Sequence, residues 1–565
     1  MRWTLLPEPD ETKVRHLASV LNGDLDIAKL LVQRGIETFD QAKQFFRPSL
    51  DDLYDPYLMK DMNRAVLRIQ QAIENGEHIM VYGDYDVDGT TSVALMSSYL
   101  LTLYPSVTTY IPDRYAEGYG ISYQGIDYAD DNDVKLIIAL DCGIKAIDKV
   151  AYAKEKGIDF VICDHHRPGD KIPDAFAVLD PKRKDCNYPY DELCGCGVGF
   201  KLIQALAKHQ GETIDDLKPY LDLVATAIAA DIVPITDENR ILAFHGLKQV
   251  NTNPRPGLKV FLQNLNKTEF TVTDLVFTIA PRINAAGRMK HGLHAVDLLT
   301  ETNFDKVEQY AQAIDSYNSD RRELDKKITD EALQQIEKNN EQQDHASVVY
   351  SEDWHKGVIG IVASRLTETY YRPTLVFTKS GDKLAASARS VTGFDVYNAL
   401  ESCSEYIEQF GGHKYAAGLT LLPENYQNFK RKFNEVVGDT LPEELKTPEL
   451  TINAEIELQN ITDKFYRILK QFAPFGPSNM KPSFLSKNLK DNGFGKPVGD
   501  GSHLKLNIIN GVDSKTYNAI GFGIGSKHTL VQDEKSFDAV FTIDENHWNG
   551  ITSLQLQLKD IKANS

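Results

Sequence analysis

The chain has 565 residues, too many for one hydrophobic core, and at about 100–200 residues per domain three or four domains are expected. Apolar residues make up 42% and charged residues 25%, which excludes a mainly disordered chain, a collagen-like repeat and a coiled-coil rod. A net charge of −19 excludes a uniformly basic nucleic-acid binder, so any nucleic-acid site must be a local basic groove in an acidic body.

The six cysteines (Cys142, Cys163, Cys186, Cys194, Cys196 and Cys403) are too few for a disulfide scaffold, and no Cys-x-x-Cys pair marks a zinc ribbon. The opening Met1-Arg-Trp-Thr-Leu-Leu-Pro-Glu-Pro-Asp10 has no apolar signal region or small-residue cleavage site, and no run is apolar for long enough to span a membrane. The expectation is a soluble cytoplasmic protein with reduced thiols and no membrane contact.

Residues 1–75 read as short helices with a Pro-bearing interruption, Phe46-Arg-Pro-Ser-Leu50, and as an N-terminal helical cap on the next domain. From 76 to about 300, short apolar strands alternate with helices. His78–Tyr82, Val107–Ile111, Val134–Leu140, Ile158–Cys163 and Ala177–Leu179 are the predicted strands. That alternation implies a parallel sheet with covered faces. Residues 303–338 lack Pro and Gly and carry Tyr310, Ile314, Tyr317, Leu324 and Ile328 at three- and four-residue spacings. This is the stripe of a long amphipathic helix, placed in a connecting segment 301–345. A second α/β unit spans 346–450, with strands at Ser347–Tyr350, Thr374–Phe377, Leu384–Ala388 and Ala417–Leu421. Over 451–565 short strands alternate with Gly, Asn and Asp turns, as in a small β-barrel. That segment carries 13 basic and 12 acidic residues, so it is the part least hostile to a polyanion.

Three successive predicted strands of the first unit end in acids or histidines: Gly83-Asp-Tyr-Asp-Val-Asp-Gly89, Asp141-Cys-Gly143 and Asp164-His-His166. Ligands of open parallel sheets bind at the carboxyl ends of the strands, so these groups converge on one crevice. Asp231, ending the apolar helix Leu221–Ala230, is a fourth candidate. Carboxylates packed together repel unless cations neutralise them, and carboxylate mixed with imidazole suits Mn²⁺ or Mg²⁺. Two ions about 4 Å apart clamp the attacking and leaving oxygens of a phosphoryl centre. Each piece alone has a blander reading. Asp84-x-Asp86-x-Asp88-Gly89 resembles a calcium loop but has Leu95 where the closing Glu belongs. A lone Asp141 reads equally as a turn residue or helix cap. The conjunction points to a metal site.

Other signals are secondary. Gly195-Cys-Gly197-Val-Gly199 before a helix reads as a phosphate site or as a tight turn, and no Walker A lysine follows any glycine loop. Arg114, Arg282, Arg288 and Arg389 lie among glycines and small residues, where a backbone can approach a phosphate closely while a guanidinium grips it. Trp354-His355 offers a ring for base stacking, or a core tryptophan.

Asp84-x-Asp86-x-Asp88, Asp141, Asp164-His165-His166 and Asp231 resemble, in order, the four motifs of the DHH phosphoesterase superfamily. Arg282-Ile-Asn-Ala-Ala-Gly-Arg288, Trp354-His-Lys-Gly-Val-Ile-Gly-Ile361, Ser387-x-Arg389 and Gly411-Gly412-His413 are similar to its single-stranded-DNA-specific exonuclease branch, as are Ala473-Pro-Phe-Gly476 and His503-Leu-Lys505. The resemblance runs over roughly residues 60–560. It implies an α/β fold: a parallel-sheet DHH catalytic domain (76–300) joined by the long helix to a DHH-associated domain (346–450), followed by an OB-fold barrel (451–565). It implies stepwise 5′→3′ hydrolysis of single-stranded DNA to mononucleotides, in repair and recombination, with two divalent ions, Mn²⁺ or Mg²⁺. By the same resemblance Asp86, Asp88, Asp141, His165 and Asp231 are metal ligands, with Asp84 in the same motif. His166 faces the scissile phosphate and Asp164 orients its neighbours. Tyr82 stands where other members have His. Arg114, Ser387 and Arg389 hold the 5′-phosphate, and Arg282, Arg288, Gly412 and His413 line the strand's path. Single-strand-binding protein and a helicase are the partners it implies. A short-oligonucleotide or cyclic-dinucleotide phosphodiesterase and a non-catalytic replication scaffold are the competing readings. The barrel argues against the first and the intact metal motifs against the second.

Overall fold

A computed structural model of the chain describes residues 1–509, 516–533, 535–548 and 550–564. It divides into two units, one of residues 55–231 and 246–448, the other of residues 1–54, 232–245 and 449–565.

The first unit opens with β1 (His78–Gly83), α1 (Val87–Leu103), β2 (Val107–Tyr110), β3 (Val134–Leu140), β4 (Asp159–Cys163) and β5 (Ala177–Leu179). These strands form one parallel sheet in the order β2-β1-β3-β4-β5. The chain leaves β1 to one side for β2 and returns to its other side for β3. The crevice between the carboxyl ends of β1 and β3 is therefore the topological switch point, where such sheets bind ligands. Thirteen of the seventeen residues of α1 are buried, which is why its sequence shows no amphipathic stripe. The helices α2 (Gly195–Gln210) and α3 (Leu221–Asp231) pack against it. Further along, α4 (Ala280–Met289) leads to α5 (Phe304–Lys338), the long helix. The buried stripe of α5 is Val307, Ala311, Ile314, Asn318, Asp325, Ile328, Ala332 and Ile336. Tyr310, Tyr317 and Leu324, expected on that stripe, lie at its half-buried margin. Two polar residues sit inside it because Asp325 accepts a bidentate pair from Arg365 and Asn318 accepts from Arg321.

Beyond α5 come β6 (Ser347–Tyr350), α6 (Ile359–Tyr370), β7 (Thr374–Ser380), β8 (Lys383–Arg389), β9 (Gln409–His413) and β10 (Ala416–Leu421), in a second sheet ordered β9-β10-β8-β7-β6. Only β6 and β7 run parallel; the other pairs are antiparallel.

In the second unit, seven strands from Ala454–Glu455 to Ile551–Ala563 form one sheet, closed by pairing of Phe484–Asp491 with His503–Ile509. Residues 1–54, expected as a cap on the next domain in sequence, pack within this unit. Leu17, Leu30, Leu31 and Phe45 share one core with Phe465, Phe472, Phe484 and Phe541 of the barrel segment. Arg2–Leu5 pairs in parallel with Glu449–Ile452. The segment 232–245 belongs here too: Arg240 is buried over the Phe45 ring, its centre 3.8 Å away, and donates to the carbonyls of Phe45 and Phe472. Helical periodicity shows that the first three helices bury a face; it carries no information on a partner four hundred residues away. No helix among the described residues is long and apolar enough to cross a membrane.

Candidate metal centre and phosphate recess

Most of these groups reach the crevice because a strand ends beneath them, the rest from helix ends. Asp84 follows β1 and is fully buried. Asp86 is the N-cap of α1, accepting the Gly89 amide at 3.0 Å. Asp141 follows β3 with φ of 58° and donates its amide to Cys163. Asp164, His165 and His166 follow β4, and Asp231 ends α3. Glycines permit the close approach: a Cβ on Gly89 would lie 2.3 Å from the Asp84 carbonyl oxygen, and one on Gly195 2.5 Å from the Asp141 Cβ.

His165 Nε2 lies at the centre, 3.2 Å from Asp141 Oδ1, 3.6 Å from Asp231 Oδ2 and 3.7 Å from Asp88 Oδ2. Two donor groups result, Asp141–His165–His166 and Asp88–His165–Asp231. Asp84 and Asp86 lie outside both. Among the described residues, Asp84 Oδ2, Asp141 Oδ1 and His165 Nε2 are buried without any hydrogen-bond partner. Burial, then the neighbouring Asp86 charge, pushes Asp84 up to about 8 and Asp88 up to about 7. Burial, then Asp88, pushes Asp231 up to about 8 and Asp141 well above the usual carboxylate range. Burial holds His165 down to about 3, keeping the imidazole neutral with a free lone pair. Unpartnered oxygens, mutually repelling carboxylates and a neutral imidazole are what a divalent-cation site requires, and the absence of thiolate among these donors suits Mn²⁺ or Mg²⁺.

Asp164 and His166 are a different pair. Asp164 Oδ1 lies 2.7 Å from His166 Nδ1 and also accepts the amides of His165 and His166, while Oδ2 accepts that of Ile144. Burial alone would raise Asp164; the bond to His166 and its charge outweigh burial and hold it down to about 2. Burial lowers His166, but the same bond and charge push it up to about 9.

The glycine run Gly195-Cys-Gly197 is the first turn of α2, not a loop before it, and its amides are already used. Gly195 and Cys196 donate to Asp88 at 2.6 and 2.8 Å. The helix N-terminus holds a carboxylate rather than a phosphate. Tyr82 is fully buried, and its hydroxyl donates to the Gly120 carbonyl at 2.9 Å, anchoring the loop after β2. Its hydroxyl is therefore committed to that loop.

Arginines form the second feature. Burial first, then the charges of Arg114 and Arg389, pushes Arg288 down to about 10; burial and Arg114 lower Arg389 as well. Ser387 Oγ accepts from Arg389 at 2.9 Å. A Cβ on Gly360, in the first turn of α6, would lie 3.0 Å from both Ser387 Oγ and an Arg389 nitrogen. Arg114 lies over the Tyr85 ring at 4.5 Å. Among the described residues none of these three guanidiniums forms a salt bridge, and although the Arg114 charge is felt by Asp84, the recess carries net positive charge. Arg282 is not among them. It pairs with Asp315 of α5 at 2.7 Å and covers Phe261. His413 is exposed at the edge strand β9, with His166 and Lys145 the charges it feels after burial. Gly412, beside it, has φ of 146° and comes so close to Ala416 that a Cβ would lie 2.4 Å from its carbonyl oxygen. Trp354 is a core residue, 4% exposed, with its indole donating to Glu331.

Two further residues lie close to Asp164 and His166. Asp180 ends β5 as the other acids end theirs; it is fully buried, one oxygen unpartnered, and burial pushes it up to about 7. The strand-end rule alone could have found it. Tyr119 lies 3.2 Å from His166, and nothing in the sequence marks it.

Residues 78–228 match the DHH family, N-terminal domain; 343–439 match the DHHA1 domain and 452–560 the RecJ OB domain. The chain is 38% identical over 564 residues to the single-stranded-DNA-specific exonuclease RecJ of Bacillus subtilis, covering 99% of this chain and 70% of that protein. It is 30% identical over 562 residues to RecJ of Escherichia coli, covering 95% of each. The crystal structure of RecJ in complex with Mn²⁺ from Thermus thermophilus aligns with a TM-score of 0.86 at 25% identity, covering 100% of this chain and 80% of that one. Similarity that extends through all three matched domains, and over nearly the whole length of relatives of like size, leaves a single assignment: the chain belongs to the RecJ family.

Proposed function

We propose that the chain is a single-stranded-DNA-specific exonuclease that works from the 5′ end, releasing mononucleotides, in DNA repair and recombination. The observation that carries this reading is the arginine recess. Arg114, Arg288 and Arg389, with Ser387 Oγ and the first turn of α6, gather positive charge for a terminal phosphate dianion. Arg114 and Tyr119 share one loop, so the recess and His166 are served by the same segment.

Two divalent ions, Mn²⁺ or Mg²⁺, supply when bound the positive charge and the activated water that phosphodiester hydrolysis needs. Asp88, Asp141, His165 and Asp231 would hold them, with Asp86 and Asp84 at the margin. Asp164 fixes the His166 ring through Nδ1; Nε2 lies against the Tyr119 hydroxyl, and a bound phosphoryl oxygen would take its proton in place of the phenol oxygen. Arg389 and Arg114 grip the 5′-phosphate and set which bond is presented. The roles read no base edges, so little sequence preference is expected. The chain works in the cytoplasm, whose reducing environment suits its six free thiols. Single-strand-binding protein and a helicase are its proposed partners, since together they expose and hold single strands.

The test is digestion of strands labelled at either end, with Mn²⁺ or with EDTA, beside a matched duplex and a 5′-hydroxyl strand. Metal-dependent loss of the 5′ label as mononucleotide, with the duplex spared, is expected. Arg389→Ala should raise KM for the 5′-phosphorylated strand and leave the 5′-hydroxyl strand unaffected. Digestion from the 3′ end overturns the polarity.

A further inference from the structure

Tyr119 sits in the loop between β2 and the helix Tyr123–Asp131, flanked by Gly118 and Gly120 with φ of 85° and 78°. The left-handed glycines turn the chain on both sides, and the loop is tied down around them. Glu117 accepts from the Asp113 amide, the Tyr110 hydroxyl and Ser122 Oγ; Asp113 accepts the amides of Tyr115 and Ala116; Tyr82 holds the Gly120 carbonyl. A loop held this firmly delivers one side chain to one place.

That place is His166. The Tyr119 hydroxyl lies 3.2 Å from His166 Nε2 and 3.4 Å from the Asp141 carbonyl oxygen, and the two rings meet edge to face at 6.0 Å. The other face of the imidazole problem is already solved: Nδ1 is bonded to Asp164 at 2.7 Å. His166 is thus held at both nitrogens. A phenol hydroxyl can donate and accept, so it serves the ring in either protonation state. When Nε2 is bare, the O–H points to it. When Nε2 carries a proton, the phenol oxygen accepts it and the O–H turns to the Asp141 carbonyl.

The same tyrosine touches the phosphate recess. Its ring meets the edge of Tyr85 at 6.3 Å, and Tyr85 lies beneath the Arg114 guanidinium at 4.5 Å. Arg114, Tyr85, Tyr119, His166 and Asp164 are therefore one line of contacts from the recess to the reacting centre. Tyr119 is itself 52% exposed, so this placement is not a by-product of core packing.

We infer that Tyr119 is the positioning residue for His166, and that through Tyr85 and Arg114 it makes His166 alignment depend on an occupied phosphate recess. The inference rests on the proposed 5′-phosphate and His166 roles. A strand with a 5′-phosphate should then gain in kcat as well as in KM. A strand ending in a hydroxyl leaves Arg114 unengaged and His166 less well aligned.

The test uses the full chain and Tyr119→Phe, which keeps the ring and its stacking but removes the hydroxyl. Its melting temperature should equal that of the unaltered chain. In EDTA, with histidine-selective ¹⁵N labelling, the His166 Nε2 resonance should move in the variant. With Mn²⁺ and a 5′-phosphorylated strand, kcat should fall about three- to tenfold, the scale of one ordinary hydrogen bond, with KM within about twofold. The kcat advantage of a 5′-phosphate over a 5′-hydroxyl should disappear. An unmoved resonance overturns the Tyr119 contact. An unchanged kcat advantage, or a rise in KM at constant kcat, overturns the coupling and makes Tyr119 a strand contact only. Absence of cleavage by the unaltered chain overturns the proposed function, and with it the coupling, whatever the resonance does.

Discussion

The carboxylate of Asp88 accepts the backbone N–H of Gly195 at 2.6 Å. A proposed metal ligand from the β1–α1 turn is thereby held by the positive end of a helix that begins more than a hundred residues later. The helix dipole favours the charged carboxylate, while burial and Asp86 oppose it. The net result keeps Asp88 ready to ionise once a cation arrives.

Gly195→Ala should damage this arrangement. The added Cβ would lie 2.5 Å from the Asp141 Cβ and 2.8 Å from its Oδ1, so backbone or ligand must shift. Displacement of supporting contacts around a metal typically costs about tenfold to a hundredfold in affinity. Titration calorimetry with Mn²⁺ should show a loss of at least about tenfold. Wild-type affinity would mean that the helix end does not position Asp88 and Asp141.

The metal-free fold should lose stability as pH rises. Asp84, Asp88 and Asp231, at about 8, 7 and 8, bind protons more tightly folded than unfolded, where they sit near 3.8. Their penalty is absent below about 4 and grows until pH passes their folded values. His166, raised from 6.5 to about 9, adds to the slope: its stabilisation is full below 6.5 and lost as pH rises through 9. Asp164, lowered to about 2, contributes stability above 3.8 that is lost only in acid. In EDTA the melting temperature should fall from pH 5 to 9, and the increment from added Mn²⁺ should be larger at pH 8 than at pH 5.5. A flat profile would show that the acids do not repel one another as described.

Ile232, directly after Asp231, has φ of 61°, a conformation that strains a β-branched residue, and its side chain is 71% exposed. The cost is roughly 1–2 kcal/mol and little burial offsets it. Asn tolerates this region, so Ile232→Asn should stabilise the chain by about 1 kcal/mol in urea unfolding. A decrease would show that the isoleucine makes a contact the folded chain needs.

The Asp325–Arg365 pair joining α5 to α6 should respond asymmetrically. Asp325 is buried, while the Arg365 side chain is 53% exposed. Arg365→Met strands a buried carboxylate and should cost about 3–5 kcal/mol. Asp325→Asn leaves an arginine that reaches water and should cost about 1–2 kcal/mol. Thermal unfolding of the two variants would reveal a reversed order if the arginine were the desolvated partner.

Much of the site was legible because its chemistry follows strand ends. Asp84, Asp141 and the Asp164–His166 triplet each close an apolar run, and a parallel sheet gathers those ends by topology. Asp180 obeys the same rule at the end of the predicted strand Ala177–Leu179, but it stands alone there with no second acid or histidine beside it to mark it. The sequence by itself determined which acids and histidines close the strands, the alternation that builds the catalytic sheet and the long helix. These depend on local periodicity and side-chain chemistry, which each residue carries with it. Tertiary structure alone decided what long-range packing decides. It bound the first three helices to a barrel core four hundred residues on, turned Arg282 to Asp315, buried Trp354 and spent the α2 amides on Asp88. It also brought Tyr119 to His166, since no local pattern encodes which side chain a loop carries across a crevice.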